Sequence, residues 1–251
     1  MANNIETFRN RMKRIEETYL SGLSADTSES ELAATLDTFA GINETFAVYE
    51  ITQQQPDAAK QYYYLYGRLQ ELAVRKYHAR LFNYSIKSVG NVLLSDNAAL
   101  IKSFAALHEG IDEKAAAGES AIWCHTVLMF VMDDQKILER NLQVIEEVTF
   151  IKDKTLQPFM QADLDFFKAL YNRDVTAMEQ ALEKLTSSSL HAKRNKEAIM
   201  SQHISQPALS YAKLAWYKGF EVVVNSPLVP KELLPVKPLD TYDDVYDFLK
   251  K

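Results

Sequence analysis

The stretch Pro207-Ala-Leu-Ser-Tyr-Ala-Lys-Leu-Ala-Trp-Tyr-Lys-Gly219-Phe-Glu-Val-Val-Val-Asn-Ser-Pro227-Leu-Val-Pro230-Lys-Glu-Leu-Leu-Pro235 decides how the rest of the chain is read. Leu209, Tyr211, Ala212, Leu214, Ala215 and Trp216 make its first half apolar on most sides, which predicts a well-buried helix over about 208–218. Gly219 stands where that helix stops, because the left-handed terminal conformation costs glycine little. Phe220 to Val224 has strand propensity, so one short C-terminal strand is expected. It has no obvious partner strand and so pairs with another extended piece or presents an edge to a partner. Four of the seven prolines fall between Pro227 and Pro238. Each fixes a backbone angle, so the tail reads as an ordered strap lying on the helices. Its last segment, 242–249, predicts a short helix that docks through Val245, Phe248 and Leu249.

Working back from that stretch, nearly all periodicity is helical. A first helix is expected from Ile5 to Leu20. A second carries Leu32, Leu36, Phe39, Ile42, Phe46 and Tyr49, with Gly41 marking a close approach or a kink. Pro56 suits the first position of a third helix running to Gly90, with the cluster Tyr62-Tyr63-Tyr64-Leu65-Tyr66 circling it. Those rings are read as half-buried between helices, with hydroxyls in water. Ser95 or Asp96 is expected to cap a fourth helix through Ala117. Residues 119–132 give a fifth, apolar nearly all round, and Asp133 and Asp134 head a sixth to about Phe150. Helices at 158–171 and 175–185, with Asp174 as N-cap, form a hairpin of tetratricopeptide-like character, without a second copy at a fixed period. A further helix is placed at 190–203. The fold class expected is all-α: a multi-helix bundle or α-α hairpin array with one short C-terminal strand and a proline-rich tail. One domain over 1–251 is preferred, with a possible subdivision near 149–157.

Few glycines and prolines, 7 of each in 251 residues, agree with long helices. The single cysteine, Cys124, lies in an apolar run and reads as a small core residue in a reducing, cytoplasmic setting. The longest apolar run, 121–132, is too short to span a bilayer. A net charge of -6 argues against nucleic acid as the ligand and allows a basic protein partner. The basic run Lys193-Arg194-Asn195-Lys196 reads as a solvated face.

Sequence motifs for chemistry are few. No two of His78, His108, His125, His191 and His203 are three or four residues apart, and neither the His-Glu-x-x-His zinc pattern nor a Glu-x-x-His carboxylate pattern occurs. Cys124 and His125 are adjacent and diverge on a helix, so a nucleophile pair would need a second histidine. No nucleophile elbow, Walker loop or dinucleotide fingerprint occurs. The reading is therefore of no catalytic residue, no metal site and no cofactor. The best directed electrostatics lie in the tail: Asp240, Asp243, Asp244 and Asp247 form a negative patch able to steer a basic partner. Tyr62 and Tyr63 are the other candidate partner-binding residues.

Over 214–234, with its late apolar helix ending in glycine, its short apolar run and its Ser-Pro-x-x-Pro followed by leucines, the chain resembles a family of bacterial immunity proteins from polymorphic-toxin loci, the one numbered forty-nine in that series. The resemblance implies inhibition by binding: a cognate secreted toxin, for example a nuclease or another enzyme with a basic cleft, neutralised without catalysis. A tetratricopeptide-like adaptor for a peptide or regulator, and an enzyme with scattered residues, are the competing readings. Toxin class, contact surface and oligomeric state stay open.

Overall fold

A computed structural model describes residues 2–23, 27–77, 86–151 and 157–250. Twelve α-helices are built along the described chain: α1 (Ala2–Gly22), α2 (Glu29–Thr52), α3 (Pro56–Tyr77), α4 (Ile86–Leu94), α5 (Ala98–Ala105), α6 (Asp112–Ala116), α7 (Ala121–Met132), α8 (Gln135–Ile151), α9 (Gln157–Tyr171), α10 (Val175–Thr186), α11 (Ser188–Arg194) and α12 (Ala208–Tyr217). The helix α2 starts with a capping box, in which Ser28 Oγ and the Glu31 carboxylate satisfy each other's backbone N–H groups. A turn of three residues folds α3 back along α2, and α1 lies on α2. The other helices pack in succession, α7 on α8, α8 on α9 and α9 on α10. One cluster of buried apolar side chains runs from Ile5 in α1 to Leu249 in the tail.

The helix α12 is inside this cluster, with every residue from Ala208 to Ala215 buried, and it packs against α4 and α10. The crossing with α4 depends on Gly90: a Cβ there would sit 1.7 Å from Ser210 Oγ and 2.3 Å from its Cβ. Gly90 therefore lies inside a helix at a close approach, where the sequence suggested a helix end. Gly41, by contrast, has nothing within 4 Å of a notional Cβ, so no close packing explains it.

The all-α class stands, but the expected C-terminal strand does not: no strand occurs among the described residues. Segment 220–224 has no strand to pair with, and other groups take its backbone. Phe220 N–H donates to Ala215 O, Val223 N–H to the Glu179 carboxylate, and the Trp216 indole N–H to Val222 O. Strand propensity without a ladder partner yields only irregular chain. Other boundaries also shift. The third helix is described only to Tyr77, and its expected continuation through residues 78–85 is outside the described residues. Asn97, rather than Ser95 or Asp96, caps α5. The expected helix to Ala117 is broken by a 3₁₀ segment at Ala106–Ile111, and 190–203 divides into α11 and a 3₁₀ turn at Met200–Gln202. The terminal helix reduces to one 3₁₀ turn, Asp247–Leu249. The suggested subdivision point falls largely on 152–156, outside the described residues. The hairpin of α9 and α10 forms, with Asp174 Oδ1 accepting the Ala177 N–H at 3.0 Å.

Candidate functional site

Beyond α12 the chain becomes a strap of irregular backbone that crosses the helical body, and its attachment begins with buried charge. Asp96 comes just after α4 in the left-handed region at φ 58, a conformation open to Asp and Asn. Its carboxylate lies between two lysines, Lys213 of α12 at 2.6 Å and Lys60 of α3 at 3.0 Å, and all three side chains are buried. Lys213 Nζ also donates to the carbonyls of Leu233, Leu234 and Pro235, and Lys60 Nζ to that of Lys237. Proline offers carbonyls but no N–H groups, so a stretch rich in it must be met by donors. The two ammonium groups supply them. Burial pushes Lys213 down to about 8, against the opposing pull of Asp96.

Aromatic residues fix the end of the strap. Tyr242 packs on Tyr64 with ring centroids 4.8 Å apart, and its hydroxyl donates to Ser95 O while accepting the Leu239 N–H. Tyr246 packs on both Phe39, at 5.2 Å, and Phe248, at 5.3 Å, and those two rings also meet each other at 6.2 Å. Its hydroxyl accepts from Asn43 Nδ2 and donates to Glu16. Arg68 holds Asp244 at 2.9 Å and the Leu249 carbonyl, and Gln61 exchanges hydrogen bonds with the Asp243 backbone.

With the backbone tied down, side chains point outward in a set order. Asp240, Asp243 and Asp247 are exposed, and Val245 between them is 56% exposed. Asp247 pairs with Lys250, whereas Asp240 and Asp243 have no ion-pair partner among the described residues. Asp244 is spent on Arg68, which removes it from the free patch. Tyr62 is half-buried with its edge on Phe46. Tyr63 is buried completely, and Tyr64 and Tyr66 nearly so, which corrects the expectation of half-exposed rings. Tyr63 thus cannot meet a partner at the folded surface; α3 is enclosed by α2, α4 and the strap, so its tyrosines face protein on several sides.

Reactive groups elsewhere are absorbed by the core. Burial raises the Cys124 thiol far above its ordinary value. His125 is buried and pushed down to about 4 by desolvation, so it is neutral at pH 7, with Nδ1 accepting from Asn141 at 2.9 Å. Asp163, also buried, is held by Arg194 at 2.8 Å. Arg194 is therefore an ion-pair partner and not merely part of a solvated face. Among the described residues no group of His, Cys, Asp or Glu is placed to hold a metal, and no helix is long and apolar enough to cross a membrane.

The Lys60–Asp96–Lys213 centre was missed at the level of sequence. A signal existed: Lys213 interrupts an otherwise apolar helix, and lysine is almost never fully buried without a partner.

The family described as Immunity protein 49 matches residues 91–233, more than half of the chain, and the chain belongs to that family. The match takes in Asp96, Lys213 and the first part of the strap. Neither curated proteins nor solved structures give a match.

Proposed function

We propose, from membership of the Immunity protein 49 family, that this chain binds a cognate secreted bacterial toxin and neutralises it, protecting the producing cell from within its cytoplasm. It acts by occupying the toxin, without catalysis of its own. Family membership is the observation that carries this reading. The strap supports the choice of contact surface. It offers two exposed carboxylates free of ion pairs, Asp240 and Asp243, beside an exposed apolar side chain, Val245, on a backbone already ordered. Acidic groups around an apolar contact suit the basic cleft of an enzyme that handles an anionic substrate. Tyr62, half-buried with its edge on Phe46, is the other candidate contact and follows Gln61, which is hydrogen-bonded to the Asp243 backbone.

Co-expression with the toxin encoded beside this chain tests the function directly: growth should be rescued, and a complex should run as one species in gel filtration. Loss of both results would end the immunity reading. Charge reversal at Asp240 and Asp243 tests the surface separately. Association at low salt should slow by about tenfold or more, with a weaker dependence on ionic strength. Unchanged rates with unchanged rescue would move the contact surface elsewhere while leaving the function intact.

A further inference from the structure

The turn between α2 and α3, the 3₁₀ turn Met200–Gln202 and the first half of the strap border an open groove of about 820 Å³. Ile51, Pro56, Val224, Pro227, Val229 and Pro230 make its walls largely apolar. Its polar groups are uncharged or balanced. Lys231 and Glu232 are neighbours of opposite sign, and burial pushes His203 below its ordinary range, so it is neutral at pH 7. Gln54 and Gln55 line the groove from exposed positions, and each amide both donates and accepts. On the strap, the backbone of Val224 and Asn225 makes no hydrogen bond to another described residue. A peptide backbone carries the same pairing of donor and acceptor, so these groups match an extended chain better than a charged metabolite.

Along α3 the groove runs into the acidic part of the strap. Pro56 lines the groove, and Asp57 follows it, exposed and without an ion-pair partner among the described residues. Gln61 is four residues further and so on the same side of the helix, and it exchanges hydrogen bonds with the Asp243 backbone. In the strap Val236, which comes between the groove residues and Asp240 in sequence, is 44% exposed. Asp57, Glu232, Asp240 and Asp243 outnumber Lys231 and Lys237 over these segments, so a neutral, apolar groove is continued by a negative surface. We infer that the groove takes an extended, uncharged apolar segment of the toxin, and that lysine or arginine residues flanking that segment reach Asp57, Asp240 and Asp243. The inference rests on the immunity reading and adds to it a contact that holds the partner, whereas the carboxylates steer it.

Association and dissociation rates with the toxin encoded beside this chain separate the two parts. Gln55→Trp fills the groove from an exposed position and should speed dissociation by about tenfold or more at unchanged association, while Gln55→Ala stays close to the wild type. Asp57→Lys should instead slow association at low salt. Methyl NMR of the wild-type chain reads the same contact without any variant: signals of Ile51, Val224 and Val229 should move when toxin is added. If the wild-type chain binds no toxin, the immunity reading fails and takes this inference with it. If it binds while a folded Gln55→Trp variant dissociates at the wild-type rate, or while those methyl signals stay in place, the groove alone is overturned. Movement of the same signals with the chain's own concentration, without toxin, would overturn it too by assigning the groove to a second copy of this chain.

Discussion

Replacing Asp96 by Asn removes one negative charge from the base of the strap at almost constant shape, and turns one of two acceptor oxygens, both facing lysines, into a donor. Asn is nearly isosteric and tolerates the left-handed backbone at φ 58, so backbone strain does not enter the comparison. That leaves two buried ammonium groups, Lys60 and Lys213, where one carboxylate had stood between them at 3.0 and 2.6 Å. Removing one partner of a buried ion pair costs about 3–5 kcal/mol, because the other charge stays desolvated and uncompensated. For a chain of this length about 4 kcal/mol corresponds to a fall in Tm of roughly 8–16 °C. The decisive comparison is the double variant Asp96→Asn/Lys213→Met. It loses a further set of hydrogen bonds, those to the carbonyls of Leu233, Leu234 and Pro235, at about 1 kcal/mol each. It also leaves one buried cation in place of two. If charge balance dominates, the double variant is more stable than Asp96→Asn alone. Urea unfolding measures the order, and limited proteolysis shows whether residues 231–250 come free first. A double variant less stable than the single one would refute the reasoning and assign the strap's attachment to hydrogen bonds.

Lys213 also sets a pH dependence. Its folded pKa of about 8 is below the ordinary 10.5, so between those values the unfolded chain binds more protons and stability rises with pH. Over pH 8 to 9 the gain should be about 1 kcal/mol in the wild type and absent from Lys213→Met, and equal slopes in denaturant titrations would refute the assignment. His125 works in the acid range: with a folded pKa of about 4 against an ordinary 6.5, its stabilising neutral form is opposed as pH falls from 6.5 to 4. His125→Gln should flatten that part of the stability profile, and a profile as steep as the wild type would place the acid sensitivity on other groups. Gly90→Ala would drive a methyl group to within 2.3 Å of Ser210 Cβ. A loss of about 3 kcal/mol or more is expected, with partial recovery in Gly90→Ala/Ser210→Gly; a neutral Gly90→Ala in thermal melts would mean that α4 and α12 separate easily.

Much of the helical body was legible in the sequence, because a helix announces itself over every turn. Leu32, Leu36, Phe39, Ile42 and Phe46 specify α2, and α7 is apolar nearly all round and, Trp123 apart, buried from Ala121 to Phe130. Asp174 as an N-cap was equally visible, since the side chain acts on its own next turn. The features that could not be read depend on partners distant in the chain. Whether Phe220–Val224 becomes a strand depends on a second strand that propensity cannot supply. Whether Tyr63 is exposed depends on which neighbours enclose α3. The break at Ala106–Ile111 and the shrinkage of the terminal helix to Asp247–Leu249 are likewise set by tertiary contacts. For the candidate site the acidic residues were visible as a cluster, but their division into free and spent carboxylates was not. Arg68, which takes Asp244 out of the patch, is 176 positions away in sequence.

On the proposed reading, an irregular strap serves as the recognition surface, and its long-range anchors give it the order that role needs. Binding by a loose acidic tail would carry the entropic cost of ordering each residue at the moment of contact, and charge alone gives encounter rate more than affinity. Here the ordering has been done by folding. Tyr246 enters a stack with Phe39 and Phe248, Tyr242 closes on Ser95 O, and the ammonium groups of Lys60 and Lys213 take the carbonyls that prolines leave without local donors. Each of these contacts faces inward, so Asp240, Asp243 and Val245 are left outward as a consequence. Tyr246→Ala separates this role from charge. It removes an inward anchor and alters no outward side chain, so toxin affinity should fall while the salt dependence of association stays as in the wild type. If affinity is unchanged in a folded Tyr246→Ala protein whose strap is shown by proteolysis to be loose, preordering contributes nothing and the acidic side chains act without their scaffold.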